Sequence, residues 1–573
     1  MAEKLISPGV FTQENDLSFV PQGIGEIGGA IIGPTVKGPA LVPTIVTSYP
    51  EYVQLFGSTF TSGSSVTEYL TSISAREYLK HSGALTVVRI LGTGHSNASA
   101  SVVGSGSSNA FVLNTIGDGA VMNSSGSTSS NDLLANGTAD NIRYEISSVN
   151  EKRGTFTLLI RRGNDTSKRK VILETWSGLT LDPNSNNFIG KAIGDQYQTL
   201  TTDDGTFLQP SGNFPVKSKY VYVSDVHEIP DYLDANGNTS SAYVEWLPGT
   251  GSGTFSGGDD GSGSSGSSLF FDSITATNVQ GFDPDNTATG SNGYDGYSNA
   301  IKLLSNADEY DVNMVWAPGL TTEDHSTLTD ELIDMCETRG DCFAVVDPCL
   351  AGQKIIDATG EGTKLDTSYA AMYWPWVQTT ANNKYVWVPP STLIPGIYAF
   401  NDKVAAEWYA PAGLNRGGLE TVVQAERKLT HGNRDTLYED NVNPLATFPG
   451  EGVVVWGQKT LQKKASALDR VNVRRLLINL KKFIASTSKY LVFENNTAAT
   501  RNRFLASVNP YMDAVQQKQG LYAFKVVMDE SNNTPDLIDR NIMKGEIYLQ
   551  PAKAAEFIVV DFNIMPTGAT FED

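Results

Sequence analysis

Phe448–Asn496 reads FPGEGVVVWGQKTLQKKASALDRVNVRRLLINLKKFIASTSKYLVFENN. Gly450 and Gly452 punctuate its entry. Val453, Val454 and Val455 form a short apolar run ending in Trp456, the pattern of a buried strand. Beyond a tight turn, Val473, Leu476, Leu477, Leu480, Phe483 and Ile484 recur every three or four residues, which predicts a long amphipathic helix. A strand over Tyr490–Phe493 is expected to follow. Arg470, Arg474, Arg475, Lys481 and Lys482 flank the apolar face or project away from it. Lys459–Lys482 holds eight basic residues and one acidic one, Asp469, so a segment of +7 sits in a chain of −21, leaving −28 elsewhere. Such a basic face suggests an acidic partner, and a solvated helix face is the plain alternative.

A chain of 573 residues exceeds a single core, and about three or four domains are expected. With 40% hydrophobic and 18% charged residues it is globular. No apolar run approaches the length of a membrane span, and MAEKLISPGV lacks the apolar stretch of a signal peptide, so residence in the cytosol is expected. Cys336, Cys342 and Cys349 match no metal spacing and read as free buried thiols. The acidity argues against nucleic acid as the main partner.

Along the chain, Ser7–Glu14 is extended, because Pro8 and Gly9 discourage a helix. Gly23–Gly28 satisfies GxGxxG, but a dinucleotide fingerprint needs a strand before it and a helix after it, and the sequence that follows is strand-like. Ser65–His81 reads as a helix and Leu85–Leu91 as a buried strand. Residues 93–290 are rich in Ser, Gly and Asn and read as an insertion. Within it, Arg143–Val149, Thr155–Arg161 and Lys170–Trp176 form a β-meander, and Gly249–Ser268 forms a linker. Asp234, Asn236, Asn238 and Glu245 take positions 1, 3, 5 and 12 of an EF-hand-like calcium loop, but Thr239 stands where that loop needs Gly, so an Asx-rich turn is the simpler reading. From 295 to 400, helices alternate with strands Val312–Trp316, Phe343–Val346 and Tyr385–Val388, which suggests a parallel-type layer. No phosphate loop occurs. Asp324-His325-Ser326 holds triad residue types too close in sequence to converge as a relay, and the five histidines read as solvated or capping. Ala410–Gly417 is a Pro/Gly turn needing φ > 0. Ala498–Gln519 is a helix that Pro510 should kink or break, with Gly520 as its stop, and Tyr522–Met528, Gly545–Leu549 and Glu556–Ile564 are strands.

Several of these stretches together resemble the tail sheath proteins of contractile-tailed bacteriophages. Gly452, Trp456, Gly457, Lys459, Thr460 and Leu461 fit that family's Gly-x-x-x-Trp-Gly-x-(Arg/Lys)-Thr-Leu element. Val473, Arg474, Arg475 and Leu476, then Phe493, Glu494 and Asn496, fit its Val-Arg-Arg-Leu helix and Phe-Glu-x-Asn strand end. Pro8, Gly9, Val10, Phe11 and Glu14 fit its N-terminal pattern, and Pro411, Ala412, Gly413, Arg416 and Gly417 its Pro-Ala-Gly-x-x-Arg-Gly turn. Lys459 and Asn495 stand where Arg and Pro are commoner. The matches follow the family's order and are tightest over the first ~90 and last ~170 residues.

The resemblance implies a non-enzymatic virion protein that polymerises as a helical sleeve around a tail tube, then shortens to drive the tube through a host envelope. Its implied partners are further copies of the chain, the tube protein, and baseplate and tail terminator proteins, with assembly in the host cytoplasm and no cofactor. The expected architecture is a multidomain α+β and α/β chain: an arm at 1–20, the first part of an α/β core at 21–92, the inserted β-rich peripheral region at 93–290, an α/β layer at 291–430, an inner α+β domain at 431–555, and an arm at 556–573. The inner core would be built from both chain ends. Arg470, Arg474, Arg475, Lys481 and Lys482 are the tube-facing candidates, with binding of Arg474 and Arg475 to carboxylates within the subunit as the alternative. Val10, Phe11 and Thr12, with Phe557, Ile558, Val559, Val560, Phe562 and Ile564, are the candidates for strand exchange, because the C-terminal run is apolar on both faces and needs cover from a neighbour. A glycan-binding adhesin carried by the insertion is one alternative. An α/β enzyme is another, but it would need an activated nucleophile or a phosphate loop, and neither is found.

Overall fold

The computed structural model describes residues 28–62, 65–202, 205–230, 232–233, 239–261, 274–284 and 293–557. The chain is a mixed α/β protein with several sheets. It divides into two compact units, one holding Gly28–Lys482 with the chain from Pro551, the other holding Phe483–Gln550. The N-terminal arm, with Val10, Phe11 and Thr12, lies outside the described residues, as do Ile558, Val559, Val560, Phe562 and Ile564.

The larger unit is organised by an eight-stranded sheet. Six strands run parallel in the order Leu85–Arg89, Gly29–Gly33, Met314–Thr321, Phe343–Asp347, Ala370–Trp374 and Val442–Phe448. Thr44–Val46 and Gly452–Val455 close the two edges antiparallel. The first five parallel strands are buried along their whole length, which explains their continuous apolar runs. Alternate residues feed two cores. Ile32, Val88, Val315, Ala344 and Met372 point to one face, Ile31, Val87, Trp316, Val345 and Tyr373 to the other. Helices Tyr294–Leu304 and Ser326–Arg339 cover the first core, and Leu70–Leu79 and Ile394–Val404 the second.

The parallel layer expected for 295–400 is present, with two differences. Pro318-Gly319 does not end its strand. The strand continues to Thr321, and the pair forms an irregularity between Trp316 and Thr321. Tyr385–Val388 belongs to a separate antiparallel sheet, as the second arm of a hairpin with Val377–Ala381, beside Val422–Ala425. The helix expected over Ser65–His81 is also shorter. Ser65–Glu68 pairs with Thr59–Ser62, and the helix starts at Leu70, whose amide donates to the Gln280 side chain at 2.7 Å. The β-branched Val66 and Thr67 favour the strand, and no periodicity within that run reveals a cap 210 residues away.

Residues 97–261 build a β-rich region with its own core around Phe111, Phe156, Leu158, Ile160 and Phe255. The meander forms from Ile142–Asn150, Thr155–Arg162 and Ile172–Thr180. The Gly/Ser stretch is not a linker throughout. Gly251–Thr254 is a fourth strand of that sheet, paired with residues 143–146, and Phe255 is fully buried. A Cβ at Gly253 would stand 2.3 Å from the Tyr144 ring, so the glycine here serves close approach rather than flexibility.

In the smaller unit, Ala498–Gln517 is one helix with Pro510 inside it, so of the expected kink or break there is no break. Gln519, not Gly520, takes the left-handed conformation beyond its end. Leu521–Val527 and Glu546–Pro551 form a two-stranded sheet. Tyr490–Phe493 is a turn, not a strand. Tyr490, Val492 and Phe493 are exposed there, Phe493 with φ of 70°. Residues 552–557 have no regular structure, so the described start of the last expected strand is not a strand.

Candidate functional site

The 448–496 stretch folds largely as its pattern dictates. Val453–Val455 pairs with Leu445–Thr447 at the sheet edge, and the helix spans Val471–Lys489. The signature residues between them are fixed by packing. Buried Asn443 accepts from the Lys459 amide at 2.6 Å and donates to the carbonyls of Lys459 at 2.8 Å and Met372 at 3.1 Å. Thr460 donates its hydroxyl to the Leu468 carbonyl, and Leu461 is buried. The Lys459 ammonium donates to the Tyr438 carbonyl at 2.6 Å and lies over the Tyr438 ring. Burial and then the Arg470 charge hold it below the ordinary lysine range. Ala410–Gly417 makes its tight loop with Gly413 at φ of 83°, as its composition required.

The five basic candidates are engaged within the larger unit. Arg475 is buried and grips Asp402 with both ends of its guanidinium, at 2.8 and 2.5 Å, over the Tyr398 ring. Burial opposes its charge, but Asp402 outweighs burial and the pKa is raised. Arg474 is also buried. It stacks 4.0 Å from the Tyr369 ring centre and donates to Ser368, and burial leaves its pKa lowered. These two therefore do not project from the helix, because the fold brings Tyr369 and Asp402 over a flank that the periodicity leaves open. Lys482 meets Asp311 at 2.5 Å and Asp341 at 3.5 Å. Lys481 is exposed and donates to the Tyr369 hydroxyl at 3.1 Å. Glu407 lies in the same charged group. Burial, then Asp402, pushes it up to about 7 against the pull of Arg475.

Arg470 has a partner that the sequence does not reveal. Its Nε and Nη2 donate to the two carboxylate oxygens of Glu556 at 2.7 and 3.0 Å. The Tyr438 hydroxyl donates to Glu556 at 2.9 Å and the Gln458 amide at 3.2 Å. Glu556 is the first residue of the expected C-terminal arm. Its carboxylate is clamped to the signature element, while the next residue, Phe557, is 80% exposed. An adjacent acidic and aromatic pair gives no hint of this, since the clamp joins residues 86 apart.

No group of His, Cys, Asp and Glu among the described residues has the arrangement of a metal site. Asp234, Asn236 and Asn238 lie outside the described residues, and the described Glu245 carbonyl accepts from the Gly106 amide. Gly28 leads directly into strand Gly29–Gly33, so the GxGxxG run is not followed by a helix. His325 is neither solvated nor a side-chain cap. It is buried, accepting from the Thr321 amide at Nδ1, with Nε2 3.0 Å from the Ala276 carbonyl. The three cysteines are free and buried, as expected.

Residues 293–461 match the family described as phage tail sheath protein central domain, and residues 463–565 the phage tail sheath C-terminal domain. The tail sheath protein of Vibrio phage KVP40 is 34% identical over 308 residues, 49% of this chain and 46% of the relative. That of Enterobacteria phage T4 is 32% identical over 275 residues, 44% of this chain and 42% of the relative. The chain thus spans about half the length of the curated relatives it matches. In fold, it is similar to the crystal structure of a sheath tail protein from Listeria innocua, with a TM-score of 0.53 at 10% identity over 88% of this chain and 90% of the other. The two domain matches lie end to end over residues 293–565 and include the Trp-Gly, Val-Arg-Arg-Leu and Pro-Ala-Gly elements, so this part of the chain is similar to the central and C-terminal domains of phage tail sheath proteins.

Proposed function

We propose that this chain is a structural, non-enzymatic subunit of a contractile tail sheath. It polymerises as a helical sleeve around a tail tube in the virion, and the sleeve shortens to push the tube through the host envelope. Its neighbours are other copies, the tube, and baseplate and tail terminator proteins, and assembly takes place in the host cytoplasm. The observation that carries this reading is the match of residues 293–565 to the two tail sheath domains. Among the described residues the sheet of the smaller unit has the strands Leu521–Val527 and Glu546–Pro551, with Tyr522 and Tyr548 exposed. An open edge of such a sheet can take a strand from another copy. The segments proposed to supply such strands are Val10–Thr12 and Phe557–Ile564, the second leaving its own copy just after the Glu556 clamp. Links of this kind persist while subunits turn as rigid bodies, which suits a polymer that shortens without dissolving.

Tube contact in this reading falls to exposed lysines. Lys463, Lys464 and Lys481 are exposed, whereas Arg474 and Arg475 are committed inside the unit. Negative-stain microscopy of the purified chain, alone and with tubes, tests the proposal. Sleeves or long tubules support it, and monodisperse globules with or without tubes overturn it. Deleting 556–573, or placing Pro at Val560, should give folded subunits that do not polymerise.

A further inference from the structure

The three-stranded sheet of Lys384–Val388, Val377–Ala381 and Val422–Ala425 has a face that the sleeve reading leaves unused. Its hairpin turns on Asn382-Asn383, both at positive φ, in the manner of a type I′ turn. Val377, Thr379, Ala381 and Val388 point inward and are buried. The opposite side chains form two rows across the strands. Trp387 faces Gln378, which faces Gln424, and Tyr385 faces Thr380. A register shift beside Val422 turns Val423 outward as well. Tyr385 is 68%, Trp387 38% and Val423 53% exposed, and the Gln424 amide donates to Gln378 at 3.0 Å. None of these six side chains carries a charge. The strand that bears the two aromatics, Lys384–Val388, is the outer edge of its sheet.

An exposed aromatic edge strand invites association unless something covers it. Charge indicates what fits. Copies of a chain at −21 repel one another, and they meet at least cost where acidic groups are absent. The six platform side chains meet that condition, and at its two ends Lys384, Arg427 and Lys428 outnumber the flanking Glu420 and Glu426. Lys384 opens the edge strand, and Arg427 and Lys428 follow Val422–Ala425. All three are exposed. None forms an ion pair among the described residues, and Lys384 reaches only the Val66 carbonyl at 3.4 Å. An aromatic, uncharged centre with a basic rim has the make-up of an interface core facing an acidic surface.

We infer that this face is a contact between copies of the chain, the platform of one copy seating on an acidic surface of the next. The contact is heterologous, so it propagates instead of closing into a dimer. The inference rests on the sleeve reading for the assembly it serves, but it can be tested apart from it. Two variants of the full chain are compared with the wild type, Y385S/W387S and K384E/R427E/K428E. Lys384, Tyr385, Arg427 and Lys428 are mainly solvent-facing and Trp387 is 38% exposed, so circular dichroism should be unchanged and only Y385S/W387S should melt somewhat lower, still as a folded chain. Sedimentation across a concentration series at two salt levels reads self-association, and microscopy reads sleeves. The expected result is a rise of about tenfold or more in the concentration needed to associate for both variants. The charge variant should also lose the salt dependence that the wild type shows. If the wild type associates and both variants match it, the inference is overturned and the sleeve reading stands. If the wild type associates without forming sleeves and the variants lose that association, the sleeve reading fails and this contact stands. If a neutral glucan such as dextran quenches tryptophan fluorescence in the wild type but not in Y385S/W387S, and association is unaffected, the face binds saccharide and the inference is wrong.

Discussion

Replacing Glu556 with Gln isolates the root of the C-terminal arm. The carboxylate takes two charge-assisted bonds from Arg470 and one each from Tyr438 and Gln458. Glutamine keeps the shape, removes the charge and turns an NH2 group toward donors. Hydrogen bonds to a charged group are worth about 1.5–3 kcal/mol. Both side chains keep partial solvent access, 25% for Arg470 and 19% for Glu556, so the low end applies, about 1.5–2 kcal/mol. That raises the detached population of 551–557 by roughly ten- to thirtyfold. Exposed Lys553 supplies the readout, because trypsin must draw the surrounding segment into its cleft to cut there. Cleavage at Lys553 in monomeric full-length chain should accelerate about tenfold in E556Q and in R470M, and the double variant should add little. Cleavage at the wild-type rate in both single variants would refute the clamp, and additive effects in the double would show that Arg470 and Glu556 act separately.

Other outcomes follow from the same structure. Asp347 is fully buried and accepts from the Ser391 amide and hydroxyl, and burial pushes its pKa from 3.8 up to about 7 despite those bonds. The folded chain thus holds a proton that the unfolded chain has lost between those values, so this group's contribution falls as pH rises from about 4 to 7, by roughly 4 kcal/mol at most. Denaturation of D347N against the wild type at pH 5 and pH 8 should show the variant relatively more stable at pH 8, and an equal difference at both would count against this. Arg475→Met leaves Asp402 without its main partner and should cost about 3–5 kcal/mol, while the R475M/D402L pair should recover part of that in urea unfolding. Phe255→Ala should destabilise the β-rich region by about 3–5 kcal/mol and raise proteolysis within 97–261, whereas a true linker residue would tolerate the change.

The parallel layer was legible because strands covered on both faces write themselves as unbroken apolar runs, and Met314–Thr321 and Phe343–Asp347 do so. The meander was legible from its polar turns. Two readings failed, and a third was left open, where a distant group decides the local structure. Leu70 begins its helix on Gln280, Gly251–Thr254 becomes a strand because residues 143–146 offer an edge, and Arg474 and Arg475 turn inward toward Tyr369 and Asp402. Helical periodicity places a residue on a flank, but it does not say what covers that flank. The Glu556 clamp belongs to the same class. Arg470 was visible as a charge, and its partner became visible only once the fold had brought residue 556 beside Tyr438 and Gln458. Tyr490–Phe493 differs in kind. Its apolar sequence reads as a strand, yet Tyr490, Val492 and Phe493 stand exposed in a turn.

The most direct test is an electron cryo-microscopy map of the polymer formed by the full chain, traced beyond Glu556. Helical sleeves are expected in which Phe557–Ile564 crosses into a neighbouring copy and adds a strand to its Leu521–Val527 and Glu546–Pro551 sheet, with Glu556 still held by Arg470. A sleeve in which that segment stays on its own copy would contradict the exchange, and the absence of any helical polymer would contradict the account as a whole.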